Sequence, residues 1–153
     1  MKKPLLIVVF AVAMLSLASA AYAKDPKFTA ELSGAQENPP VATAGSGKAE
    51  FEFDGTSVAF ELEWKDLSST AFAAHIHCGV TGQNGPVGVT LFSGPRGTEG
   101  EVKGVFIAPD PGNGCGWDDL AEVLAAMASG GAYVNIHTPN HPGGEIRGQI
   151  AAD

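Results

Sequence analysis

Apolar and polar residues alternate with a period of two along most of this chain, in short runs punctuated by Gly, Pro, Asn and Asp. That is the pattern of half-buried strands joined by tight turns. Val58, Phe60, Leu62 and Trp64 fall on one face of a strand at 57–64, and Ser57, Ala59, Glu61 and Glu63 on the other. The run 48–53 alternates in the same way, and Asp54-Gly55 between the two predicts a hairpin. Further strands are expected at 28–33, 70–78, 87–92, 102–108, 131–137 and 145–150. Segments 34–40, 79–86, 93–100 and 138–144 are rich in turn formers, and Pro39-Pro40 keeps the first of them out of a sheet interior. One segment changes period. Leu120, Val123, Leu124 and Met127 have helical spacing, Asp119 and Glu122 have the spacing of a capping box, and Gly130-Gly131 provides a stop. No long-period repeat is present. Together these elements predict an all-β fold, an antiparallel Greek-key β-sandwich or flattened barrel with one short helix.

The first residues break the pattern. Lys2 and Lys3 precede an apolar run from Leu5 to Leu17, and Ala21-Tyr22-Ala23 has the form of a signal-peptide cleavage site. The expectation is a leader at 1–23 and one exported domain at 24–153, periplasmic or secreted and free of the membrane after cleavage. Of the 9 Lys and Arg, two fall in the leader, so the mature chain would carry 7 basic residues against all 17 Asp and Glu, a net charge of −10. Such a balance argues against nucleic acid or an anionic membrane surface as partner and favours cations, although it also serves simple solubility. In an oxidising compartment the two cysteines, Cys78 and Cys115, are expected to form a disulfide worth about 3 to 4 kcal/mol. Thiolate ligation of a metal is the rival. Against it, Cys78 lies on the Ile76 side of its strand, opposite His75 and His77.

Candidate chemistry concentrates in two stretches. Phe72, Ala74 and Ile76 alternate with Ala73, His75 and His77; Ala132, Val134 and Ile136 alternate with Tyr133, Asn135 and His137. Three imidazoles are thus expected to point away from the core. Residues i and i+2 of a strand lie about 6.5 to 7 Å apart at Cα, close enough for His75 and His77 to reach one ion. His137 on a neighbouring strand would supply a third nitrogen, and His141 in the following loop a fourth. An all-imidazole set suits copper first and zinc second, rather than calcium or magnesium. Asn135 or Glu145 is a candidate to orient an imidazole from behind. The bland alternative is that outward-facing strand histidines are ordinary polar residues. No Ser or Cys occupies a nucleophile elbow, so the histidines give little support to hydrolytic catalysis.

With those motifs placed, the chain resembles the chordin-type CHRD domain. The resemblance rests on Leu32-Ser33-Gly34-Ala35-Gln36-Glu37-Asn38-Pro39-Pro40, on Ala74-His75-Ile76-His77 with Gly85-Pro86-Val87, and on Tyr133 to Thr138 with Gly143 to Ile150. It implies an extracellular or periplasmic β-sandwich domain. A weaker resemblance, to copper/zinc superoxide dismutase, follows the order of His75, His77 and His137, which would imply copper ligands. The chain departs from the dismutase pattern: a zinc loop is missing, Glu145 stands near the place of the anion-guiding arginine, and Gly148 replaces a cysteine. These departures favour a copper site without efficient dismutation. The leading reading is therefore an exported protein that binds copper for sequestration, delivery or sensing. Its alternatives are a dismutase-like copper redox enzyme and an extracellular protein-interaction module whose histidines are incidental.

Overall fold

The computed structural model describes residues 26–153; the leader expected at 1–23 lies outside them. Nine strands and one α-helix follow in order. They are β1 (Lys27–Ser33), β2 (Ser46–Phe53), β3 (Val58–Lys65), β4 (Ala73–Cys78), β5 (Val87–Ser93), β6 (Gly100–Phe106), α1 (Leu120–Ala128), β7 (Ala132–Thr138), β8 (His141–Gln149) and β9 (Ala151–Ala152). A short 3-10 turn, Gly34–Gln36, follows β1.

The β2–β3 hairpin shows how local chemistry sets register. Asp54 accepts hydrogen bonds from the main-chain N–H groups of Thr56 (2.8 Å) and Ser57 (2.7 Å) and from both hydroxyls, which hold its carboxylate well below the ordinary pKa range. Gly55 takes the positive φ that the turn requires, and Phe53 is left opposite Val58. Along β3, Val58, Phe60, Leu62 and Trp64 are buried, as their alternation predicts.

The strands form one antiparallel sheet in the order β5-β4-β7-β8-β1-β2-β3-β6, with β9 beside β1. The β3–β4 and β6–β7 connections cross between the two halves, which makes the path a Greek key. The sheet curls until β5 and β6 nearly meet. Trp64 on β3 stacks on Phe92 on β5 at 5.4 Å, and the β5–β6 loop pairs through Gly97 and Thr98 with Ala71 and Leu67. A nearly closed, flattened barrel results, filled by Leu62, Ile76, Val89, Val134, Ile136, Ile146 and Ile150.

Helix α1 has the expected caps. Asp119 accepts from the Glu122 N–H (3.1 Å), Glu122 accepts from the Asp118 N–H (2.6 Å), and Gly130 closes the helix with φ 71°. Val123 and Met127 bury its inner face, and the helix packs against β7 and β9. No helix among the described residues is long and apolar enough to cross a membrane.

Two expectations change. The loop predicted over 138–144 is mostly strand: Thr138 pairs with His141 across a two-residue turn, and an irregularity between Ile136 and Thr138 absorbs the slip. Gly144, with φ 129°, sits where a Cβ would collide with the Asn135 amide and the Glu37 carboxyl. The strand predicted from Thr70 begins only at Ala73. Phe72 therefore escapes the alternation, and its ring lies partly exposed, 6.2 Å from that of His137.

Candidate metal centre

Strands β4 and β7 are hydrogen-bonded neighbours, with Ala73 opposite His137, His75 opposite Asn135 and His77 opposite Tyr133. Ala74 and Ile76 enter the core, so His75 and His77 share the outer face with Tyr133, Asn135 and His137. That face is not open to solvent. Every position of β7 is buried: Ala132, Val134 and Ile136 in the core, and the outer face beneath Glu37 and the 80–85 loop, which fold across it. Asn135 donates to Glu37 (2.8 Å), Arg147 donates to the Val80 carbonyl (3.1 Å) and to Asn84 (3.2 Å), and Gly85 donates to the Tyr133 hydroxyl (3.1 Å). His77 and His137 are buried at 8% and 9% exposure, and His75 is half-buried.

One nitrogen from each of His75, His77 and His137 lies within 4.8 Å of the other two. His75 Nδ1 and His137 Nε2 are 3.0 Å apart. His77 Nδ1 donates to the Gly85 carbonyl and His137 Nδ1 to the Pro142 carbonyl, each at 2.9 Å. These bonds assign the proton to Nδ1 in both rings and leave both Nε2 lone pairs facing the cluster. His77 Nε2 is buried with no hydrogen-bond partner. Nitrogens about 2.0 to 2.1 Å from a common metal stand roughly 3.3 to 3.6 Å apart, so small ring rotations would bring the three to ligating distance. A metal ion would also satisfy the orphaned nitrogen, so the donor set fits one.

Electrostatics keep the cluster unprotonated. Burial, with repulsion from His137 and His77, pushes the His75 pKa down to about 4 against the opposing pull of Asp110. Burial likewise lowers His77, which His137 and Arg147 also repel, and it lowers His137 despite the bond to Pro142. All three imidazoles are therefore neutral at neutral pH; His77 and His137 offer Nε2 lone pairs, and His75, whose Nδ1 donates to His137 Nε2, would offer Nδ1 once its proton moves to Nε2.

The other candidate residues have different places. His141 opens β8, where its N–H donates to Thr138 Oγ1 (3.2 Å), and it lies outside the three-nitrogen group. Cys78 and Cys115 are joined as a disulfide, Cα to Cα 5.7 Å, so thiolate ligation by Cys78 is set aside. Glu145 makes its hydrogen bonds to hydroxyls and a main-chain N–H, none to an imidazole. Its fully buried carboxylate accepts from Thr43 Oγ1 (2.6 Å), Ser68 N (2.6 Å), Ser68 Oγ (2.8 Å) and Thr138 Oγ1 (2.7 Å). Burial pushes its pKa up, but those four bonds outweigh burial and leave it below the ordinary value. Glu145 thus ties the β2 approach, the β3–β4 crossover and the β7–β8 hairpin together. Asn135 faces Glu37, not a histidine.

Three residues of this region were not anticipated as functional. Tyr133 stacks on His77 with ring centroids 4.9 Å apart and planes within 7°. The Arg147 guanidinium lies on the far face of Tyr133, 3.4 Å from its centroid. Glu37 is buried beside Asn135, and burial raises its pKa to about 7 even though the Asn135 bond and Arg147 pull it down. Tyr133 shares the alternating face of Asn135 and His137, a signal that sequence does carry. Glu37 and Arg147 come from distant segments, and nothing local marks them. A second acidic group, Glu61, Glu63 and Glu101, is more exposed and is partly neutralised by Lys103, 3.0 Å from both Glu61 and Glu101.

The fold and the cluster together define an antiparallel β-barrel domain carrying a three-histidine centre on the outside of its sheet. Residues 28–150 match the CHRD domain family, and the chain belongs to it. The family points to an extracellular, protein-interaction type of module, and the disulfide is compatible with that setting. Neither a curated protein nor a solved structure matches the chain.

Proposed function

We propose that this protein is an exported copper-binding domain whose ligands are His75 Nδ1, His77 Nε2 and His137 Nε2. A single observation supports the reading most: three clustered imidazoles, two buried and one half-buried, bring one nitrogen each within 4.8 Å of the others, and His77 Nε2 among them has no partner in the protein. Burying an acceptor without a partner costs about 1 to 3 kcal/mol, a penalty that a bound cation removes. Copper is preferred over zinc because the three ligands are imidazoles and copper stands highest in the divalent affinity order. The site has no nucleophile and no thiolate, so holding the ion for sequestration, delivery or sensing suits it better than hydrolysis.

The test is metal analysis of the protein purified after export, followed by copper titration. Near-stoichiometric copper is expected, with binding lost in His75→Ala and in His137→Ala. Protein that stays metal-free after incubation with copper or zinc at neutral pH contradicts the reading. A superoxide assay on the copper-loaded protein separates holding from redox catalysis: a rate no greater than that of free copper is expected.

A further inference from the structure

We infer that Tyr133, braced from behind by Arg147, is a positioning residue that sets the ring plane and tautomer of His77. This inference rests on the metal reading for its consequence, but its geometry stands without a metal. His75 and His137 support one another through their 3.0 Å contact, whereas His77 Nε2 meets no protein group. A buried imidazole with one satisfied nitrogen gains by turning its other nitrogen toward a new partner. Two contacts oppose that rotation. The Gly85 carbonyl takes the Nδ1 proton at 2.9 Å, and the Tyr133 ring lies flat against the imidazole, so turning the ring drives its edge into the phenol.

The same tyrosine fixes Gly85. Its hydroxyl accepts from the Gly85 N–H at 3.1 Å and faces the Gly85 carbonyl at 3.4 Å, so one side chain holds both the face of His77 and the acceptor of its proton. Gly85 can approach so closely because it lacks a side chain; a Cβ there would collide with the Cys78 carbonyl. Arg147 completes the column. It is 1% exposed, anchored by Asn84 and the Val80 carbonyl, and its guanidinium covers the side of Tyr133 away from His77. Tyr133 is therefore packed between a cation and an imidazole and has little freedom to move.

The experiment compares wild-type protein with Tyr133→Leu, Tyr133→Phe and Arg147→Met. In metal-free wild-type protein, imidazole nitrogen NMR is expected to show His77 as the single Nδ1–H tautomer. Tyr133→Leu is expected to give a mixture of tautomers, to weaken copper binding by about 10- to 100-fold and to change the copper electron paramagnetic resonance spectrum. Tyr133→Phe, which keeps the stack but loses the hydroxyl that holds Gly85, is expected to fall between wild type and Tyr133→Leu in tautomer purity and affinity. A folded Tyr133→Leu protein with the wild-type tautomer, affinity and spectrum overturns the inference, even if its melting temperature has dropped. If that variant does not fold, Arg147→Met decides. Loosened His77 signals and weaker binding support the column, and unchanged ones refute it. Wild-type protein with a fixed His77 tautomer but no copper uptake overturns the metal reading and leaves the positioning role standing.

Discussion

The depressed imidazole pKa values make a quantitative demand on the pH dependence of copper binding. A ligand of ordinary histidine pKa, 6.5, is about 76% neutral at pH 7 and about 3% neutral at pH 5, so each such ligand costs roughly 25-fold in apparent affinity between them. Three of them acting together would cost more than about 10⁴-fold. In this protein the His75 pKa is pushed down to about 4, which leaves it about 90% neutral at pH 5, and His77 and His137 are lowered in the same direction. The sign follows directly: protons compete only once the pH approaches the depressed values, so affinity holds on mild acidification and falls steeply near pH 4 and below. His75 contributes almost nothing to the loss between pH 7 and pH 5, and His77 and His137 contribute less than exposed ligands would, so the expected loss is far below the roughly 10⁴-fold of three ordinary histidines. The assay is copper titration at stepped pH against a chelator of known protonation constants. A loss of about 10³-fold or more by pH 5 would mean that the imidazoles titrate like exposed ones, and the argument from burial would fail.

Three further predictions concern the frame around the site. Replacing both Cys78 and Cys115 by Ser opens a cross-link of sequence separation 37, which should lower stability by about 4 kcal/mol in urea denaturation; a change under about 1 kcal/mol would refute the loop-entropy argument. Glu145→Gln keeps the shape, but its amide nitrogen cannot accept the two hydrogen bonds made to the carboxylate oxygen it replaces and the other two become neutral and weaker, so a loss of about 2 to 4 kcal/mol is expected, and an unchanged denaturation midpoint would speak against the tie. Glu37 has a folded pKa near 7, above its unfolded value of 4.5, so its contribution is fully present below about pH 4.5 and is lost as pH rises through 7. Glu37→Gln, which cannot ionise, should therefore gain on wild type by on the order of 2 kcal/mol between pH 5 and pH 8; a pH-independent difference would show that Glu37 titrates normally.

Much of this molecule is legible along the chain because local rules and the final environment agree. β3 alternates, and its apolar face is the core face. The helix starts at an acidic cap and stops at Gly130. His75, His77 and His137 lie together because period-two geometry puts them on one face and β4 and β7 happen to pair. What alternation cannot tell is whether that face meets water. Glu37 and the 80–85 loop cover it, so polar residues that read as outward are in fact enclosed, and the histidine pKa values fall as a result. The same blindness hid Glu145, which has no nearby partner in sequence except Thr138 and collects Thr43 and Ser68 across the fold. It also hid Glu37, which is buried against Asn135 and Arg147, residues of distant segments. Phe72 departs from the alternation for a different reason: β4 begins only at Ala73, so the parity of Phe72 carries no information.

Electron paramagnetic resonance of the protein loaded with one equivalent of copper(II), with nitrogen couplings resolved by pulsed methods, tests the central claim most directly. The geometry predicts imidazole couplings from three histidines, one bound through Nδ1 and two through Nε2, with a histidine contribution lost in each of His75→Ala, His77→Ala and His137→Ala. A spectrum unchanged by removing all three, or one carrying no histidine couplings, would contradict the proposed metal centre.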